Sequence, residues 1–292
     1  MYTSLPFNFL GIDKHNSFEE SKVVILPFPY DSTTSFRSGA REAPVAVINA
    51  SHQVELYDEE LETEIYEKVG IHTFNEIIPN MDGPKRQAEM VRRVFLEVIE
   101  AGKFPVMLGG EHSLTLGAIQ AIKDFYPNVS VLQLDAHTDL REEYEGTQYS
   151  HACVMRRICD EGVKIAQVGI RSTSKEEAKF IKANDIFSVT ARRYHYGYYG
   201  FEDIVDALSD TAYITIDMDV FDPSEVPAVG TPEPGGLRWY EVLDILREVT
   251  FHKKVIGFDV VELTPIPGNV ASNFLAAKLI YKLIGYCFRG EL

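Results

Sequence analysis

Short apolar runs rich in Val and Ile alternate along this chain with longer stretches whose apolar residues recur every three or four positions. Runs of the first kind are KVVILPF (22–28), FPVMLG (104–109), VSVLQLD (129–135), VKIAQVGI (163–170), AYITIDMD (212–219) and KVIGFDVVEL (254–263). Several are apolar at consecutive positions, which is the pattern of strands covered on both faces in a parallel sheet. The longer stretches predict helices over 83–103, 113–125, 175–185, 201–210, 238–250 and 271–286. The first of these has a proline in its opening turn and stops near Gly102. Strands alternating with helices mean βαβ units, hence an α/β fold with a mostly parallel sheet and helices on both faces. Residues 30–80 are the vaguest stretch, and no element is assigned there.

The 292 residues can bury a large core, and the 14 Pro and 20 Gly fall in short turns without linkers, low-complexity tracts or a fixed repeat. A single domain spanning 1–292 is therefore expected. The N-terminus, MYTSLPFNFLGIDKHNS, has no basic region followed by a long apolar one, and no run of eighteen apolar residues occurs. A cytoplasmic protein without membrane spans is the expectation. The formal charge of −16 disfavours nucleic acid, whose binding needs a basic surface, and favours encounter with cations. Three cysteines, Cys153, Cys159 and Cys287, are too few and too irregularly spaced for a disulfide framework or a zinc site.

Ligand sites in open parallel sheets form beyond the carboxyl ends of the strands. Four predicted strands deliver polar groups at that end: His112 after FPVMLGG; Asp135, His137 and Asp139 after VSVLQL; Asp217 and Asp219 after AYITI; and Glu262 after KVIGFDVV. A hydrogen-bonded network would account for three polar residues at one strand end, but it does not account for this convergence. Two imidazoles and four carboxylates near one point would raise one another's pKa and resist burial unless cations offset them. The set is hard, oxygen-rich and free of thiolate, which favours Mn²⁺, or Mg²⁺ or Fe²⁺, over structural zinc. Six ligands exceed the needs of one open catalytic ion. Two ions about 3.5–4 Å apart, bridged by carboxylates and activating a water, fit better, and the chemistry they define is metal-assisted hydrolysis.

The motifs GGEHS (109–113), DAHTD (135–139), SHACVMRR (150–157) and DMDVFDP (217–223) resemble those of the ureohydrolases, the arginase and agmatinase family. YDSTTSFRSGAREAP (30–44), GTPEPGGL (230–237) and DVVELTP (259–265) match agmatinase-like members in the same order, so the resemblance covers nearly the whole chain. It implies a three-layer αβα sandwich, commonly assembled as trimers or hexamers, with two Mn²⁺ per subunit. His112, Asp135, Asp139 and Asp217 would hold one ion, and Asp135, His137, Asp217 and Asp219 the other. Asp139 would also orient the attacking hydroxide and pass its proton toward the leaving amine. His151 stands at the place of the family's proton-shuttling histidine, and Glu262 at that of the carboxylate pairing with the substrate guanidinium. Glu111, Ala152 and Val220 depart from the commoner residues of these motifs without removing a ligand. The other histidines, His15, His52, His72, His195 and His252, lack ligand-like company.

Arginases read the α-carboxylate and α-amine of their substrate with a polar Ser/Asn loop ahead of the shuttle histidine. Here LREEYEGTQYSH (140–151) holds no Asn and three glutamates, Glu142, Glu143 and Glu145. Such a loop would repel a carboxylate tail and tolerate a free amine, which makes agmatine the better fit, with putrescine and urea as products. N1-aminopropylagmatine, giving spermidine and urea, fits the same logic. RRYHYGYYG (192–200) is a candidate for the pocket mouth. Rival readings are a hydrolase of guanidino acids or formiminoglutamate, and a non-catalytic metal- or polyamine-binding protein on the same fold. Nucleotide-binding glycine patterns are absent.

Overall fold

Eight strands, all parallel, form one sheet in the computed structural model, which describes residues 6–12 and 17–292. His15 and much of the N-terminal stretch lie outside the described residues. The strands are β1 (Val23–Pro27), β4 (Ile71–Thr73), β5 (Phe104–Leu108), β6 (Ser130–Leu134), β7 (Lys164–Ile170), β8 (Phe187–Thr190), β9 (Thr211–Asp217) and β10 (Lys254–Val261). β2 (Tyr57–Asp58) and β3 (Thr63–Glu64) make a separate antiparallel pair. The sheet order is β4-β1-β5-β10-β9-β6-β7-β8. The helices are α1 (Ala43–Ser51), α2 (Ile65–Val69), α3 (Pro84–Glu100), α4 (Thr115–Phe125), α5 (Val154–Asp160), α6 (Lys175–Ala183), α7 (Ala191–His195), α8 (Phe201–Asp206), α9 (Trp239–His252) and α10 (Ala271–Cys287).

The uninterrupted apolar runs behave as expected of strands buried on both faces. In β1, Val23 and Ile25 join one apolar layer and Val24 and Leu26 the other, all fully buried. The first layer is covered by α1, α9 and α10, the second by α3 and α4, giving the αβα sandwich expected. In α3, Ala88, Val91, Phe95 and Val98 form the inward stripe, and Gly102, at φ +70°, lets the chain leave the helix. The six predicted strands and six predicted helices are present, with several ends one to four residues shorter than expected. Four strands and four helices were not predicted: β2, β3, β4, β8, α1, α2, α5 and α7. All three cysteines are free, and among the described residues no helix is long and apolar enough to cross a membrane.

β5, β10, β9 and β6 are neighbours at the centre of the sheet, and their carboxyl ends are level. Leu108 pairs with Val260, Val261 with Asp217, and Ile216 with Leu134. Whatever follows these four strands must therefore meet at one place.

Candidate metal centre

Asp217 ends β9, and the other ligand-type residues lie one to five positions past their strand ends, held by tight turns. Gly109 and Gly110 open the turn after β5. A Cβ on Gly110 would stand 1.8 Å from the Tyr30 carbonyl oxygen, so only glycine fits there. Beyond it, His112 begins a 3₁₀ turn that leads into α4. After β6, Asp139 adopts φ +52°, and after β10, Glu262 adopts φ +63°. Left-handed conformations are unfavourable for these residue types and persist where the surroundings enforce them. For Asp139 the enforcement is visible. Glu177, in the capping box of α6, accepts hydrogen bonds from the Thr138 hydroxyl (2.8 Å) and the Leu140 amide (3.0 Å), gripping both neighbours. Asp219 does not continue β9, as the run 212–219 suggested, but sits in a 3₁₀ turn, Met218–Val220. That turn is tied down by Arg171, whose Nη2 donates to the carbonyls of Asp219 (2.6 Å) and Glu233 (2.8 Å).

The six expected ligands come together. His112 Nδ1 stands 3.2 Å from Asp135 Oδ2, 3.1 Å from Asp139 Oδ2 and 3.5 Å from Asp217 Oδ2. His137 Nδ1 stands 2.9 Å from Asp219 Oδ2 and 3.7 Å from Asp135 Oδ1. Two groups thus have their ligand atoms within bonding range of one ion each: His112, Asp135 and Asp139, and Asp135, His137 and Asp219. They share Asp135, whose two oxygens face the two imidazoles. Asp217, the expected second bridge, falls in neither group by that spacing; its Oδ2 faces His112 at 3.5 Å and its Oδ1 accepts from the Asp219 amide (2.8 Å).

His112 tests whether the centre fits a cation. Its Nε2 contacts Thr215 Oγ1 at 2.8 Å, and that hydroxyl donates its only hydrogen to Asp259 Oδ1 at 2.6 Å. Thr215 can then only accept, so Nε2 carries the proton and Nδ1 turns toward the carboxylates. Nδ1 is fully buried, and no carboxylate meets it in hydrogen-bond geometry. A buried ring nitrogen without a partner, facing carboxylate oxygens about 3 Å away, matches the ligand-to-ligand spacing around an ion bound at about 2.0–2.2 Å. The residues fit a hard divalent cation at each group.

Electrostatics gives the same reading. Burial, then Asp135, push Asp139 up to about 7. Burial, then Glu111, push Glu262 up to about 8. Asp217 is raised well above its ordinary value by burial, then by Asp219 and Asp135. Burial opposes charge on His137, but Asp219 and Asp135 outweigh it and hold its pKa near 12. The cluster is short of positive charge.

Above this floor opens a cavity of about 270 Å³, lined by His137, Asp139, Asp217, Asp219, His151 and Glu262 among others. His151 Nδ1 is 3.1 Å from Thr33 Oγ1, and burial lowers its pKa to about 4. Glu262 Oε1 accepts the His112 amide at 2.6 Å. Thr33, Thr215 and Asp259 were missed by sequence reasoning. Of these only Asp259, a carboxylate inside the apolar run of β10, carried a local signal.

Two expectations about the mouth are corrected. Glu142, Glu143 and Glu145 are exposed and line no part of the cavity, and Glu142 is paired with Arg156 and Arg157. Their loop turns Arg141 and Tyr144 inward instead. Residues 192–200 also stay away from it, because α7 packs through Ala191 beside the edge strand and Tyr196 and Tyr198 face outward. Among the remaining histidines, His52 contacts the Asn8 carbonyl, His195 Glu241, and His252 Glu248, while His72 packs between Phe18 and Phe74.

An eight-stranded parallel sheet with this ligand set at its carboxyl edge defines a class. A model of the arginase family matches residues 21–285, and the chain belongs to that family and is a hydrolase of the ureohydrolase type. Among individual proteins, it is similar to the N(1)-aminopropylagmatine ureohydrolase of Synechocystis sp., 40% identical over 294 aligned residues that cover 98% of this chain and 95% of that one. The agmatinase of Pyrococcus horikoshii is 38% identical, covering 93% and 94%. The solved structure of the agmatine ureohydrolase of Thermoplasma volcanium superposes with a TM-score of 0.88 at 32% identity, covering 99% of this chain and 96% of that one.

Proposed function

We propose that the chain hydrolyses the guanidinium group of a cationic aminoalkylguanidine, releasing urea and a polyamine. Two Mn²⁺ would be held by His112, Asp135, Asp139 and Asp217 on one side and by Asp135, His137, Asp217 and Asp219 on the other. The observation that carries this reading is the pair of ligand groups sharing Asp135 beneath a single cavity. When bound, the cations supply Lewis acidity and an activated water at neutral pH. The chain's own residues do the rest. The free oxygen of Glu262 pairs with the guanidinium and fixes its carbon over the centre. Asp139 orients the attacking oxygen and relays its proton, and His151 carries a proton toward the departing amine.

Of the two substrates, N1-aminopropylagmatine stands ahead of agmatine. The loop glutamates that favoured agmatine lie outside the cavity. Phe36, 81% exposed at the rim, offers an aromatic face to a longer, doubly cationic tail. The 40% identity to the Synechocystis enzyme over almost both full lengths supports the same choice. Agmatine remains the second reading, supported by the likeness to the Thermoplasma structure. Urea release from Mn²⁺-loaded protein on N1-aminopropylagmatine, agmatine and arginine tests this. The expected order of kcat/KM is the order in which they are named, and a preference for arginine would refute the assignment.

A further inference from the structure

Thr33 lies 118 residues from His151 in sequence, yet the backbone amide and ring Nδ1 of that histidine both meet it. The His151 amide donates to Thr33 Oγ1 at 3.0 Å, and ring Nδ1 lies 3.1 Å from the same oxygen. Thr33 Oγ1 is in turn 2.8 Å from Glu111 Oε1, to which it donates. Glu111 is fully buried and collects three further donors: the amides of Ser32 (2.5 Å) and Thr33 (2.6 Å) and the hydroxyl of Ser113 (2.5 Å). Two are backbone N–H groups that can only donate. Burial pushes the Glu111 carboxyl up and these four contacts oppose it, and toward Thr33 its Oε1 stands as the acceptor.

A threonine hydroxyl has one hydrogen and two lone pairs. With its hydrogen spent on Glu111, Thr33 offers only lone pairs to His151. A bare Nδ1 would oppose one of them at 3.1 Å, whereas Nδ1–H satisfies it. Ser150 Oγ, 3.3 Å from Nδ1, accepts from the Ala152 amide and keeps a hydrogen and a lone pair, so it suits either tautomer and the shorter Thr33 contact decides. Tyr144 meets the ring edge-on, with centroids 6.1 Å apart, and limits its rotation. Nε2 has no hydrogen-bond partner among the described residues, and the ring lines the cavity.

We propose that Thr33, anchored by its hydrogen bond to Glu111, is a positioning residue that fixes His151 as the Nδ1–H tautomer and so makes Nε2 its proton-exchanging atom. This rests on the proton-transfer role given to His151 above. Nε2 takes up one proton and gives it to the departing amine nitrogen, while Nδ1–H stays on Thr33 throughout. Glu111, next to the ligand His112 in sequence, then serves the proton-transfer residue across the cavity as well.

The test compares Thr33→Val, which keeps the shape and removes the hydroxyl, with Thr33→Ser, which keeps the hydroxyl. Thr33→Val should lower kcat/KM on the order of 10²-fold and displace the pH profile, with Mn²⁺ content unchanged. Thr33→Ser should stay within a few-fold of the parent. In a His151→Asn background, Thr33→Val should have almost no further effect. Long-range ¹H–¹⁵N spectra of the ¹⁵N-histidine protein, loaded with diamagnetic Mg²⁺, read the tautomer directly and do not depend on turnover. Nδ1–H in the parent is the expected result, and Nε2–H there overturns the inference even if urea is released. An unchanged rate and profile in Thr33→Val, or a parallel loss of Mn²⁺, also overturns it. If the parent releases no urea yet shows Nδ1–H, the role of His151 fails while the tautomer assignment stands.

Discussion

Two buried clusters of charge differ in their balance. At the far edge of the α10 layer, Lys282, 2% exposed, is 3.1 Å from Asp58 Oδ1 and 2.9 Å from Glu60 Oε2. Arg247 lies 3.5 Å from Glu60, and Tyr286 donates to it at 2.6 Å. Burial opposes the charge on Lys282, but Glu60 and Asp58 outweigh it and raise its pKa. Lys278, Lys282 and Arg247 there face Asp58, Glu59 and Glu60, of which only Asp58 is buried, and the cluster ties the β2–β3 hairpin to α9 and α10. The centre at the strand ends gathers Asp135, Asp139, Asp217, Asp219 and Glu262 around only two imidazoles. A cluster whose charges are matched fastens the fold, whereas one left short of positive charge is built to receive it.

The comparison breaks most visibly at Asp219. Asp219→Asn should lower kcat by on the order of 10³-fold, the several kcal/mol a catalytic cation supplies. Metal-free protein loses the Asp219–His137 pair but sheds one of several crowded carboxylates, so its thermal midpoint should change little. An unaffected rate would remove Asp219 from the centre. Lys282→Met should do the reverse. Leaving the buried Asp58 without its cation costs about 3–5 kcal/mol of stability, seen in denaturant unfolding, with kcat per folded molecule unchanged.

Protonation sharpens the contrast. In cation-free protein at pH 7, Asp139 with its pKa near 7 is partly protonated and His137 with its pKa near 12 fully so. Both must lose those protons to bind Mn²⁺. Calorimetry in buffers of different ionisation enthalpy should therefore show net proton release, with affinity rising as pH rises through 7. Proton uptake, or none, would contradict the ligand assignment. The smallest effect is expected at the rim. Phe36→Ala should raise KM for N1-aminopropylagmatine about 2–5-fold, the worth of one exposed cation–π contact of about 0.5–1 kcal/mol, and change KM for agmatine less.

The central frame was legible because a doubly covered strand must be apolar at consecutive positions, and because ligands past such strands stand out against Val and Ile. Edge strands send no such signal. Ile71–Thr73 and Phe187–Thr190 are three and four residues long, half-exposed and embedded in polar sequence. α1, APVAVINAS, is apolar nearly all round and has no stripe to detect. The ligands could be read, but most of their supports could not. Thr215 and Asp259 behind His112, and Thr33 and Glu111 behind His151, meet only after the sheet brings segments 44 to 118 residues apart together. The loop glutamates misled for a related reason. Charge in a loop says what the loop would repel, but not which way its side chains turn.

Metal content and turnover measured on the same samples test the account most directly. Protein stripped with chelator and dialysed against rising Mn²⁺ should approach two equivalents per chain, with urea release rising as the sites fill and vanishing again in excess chelator. Saturation below two equivalents, or full urea release with chelator in excess, would contradict it.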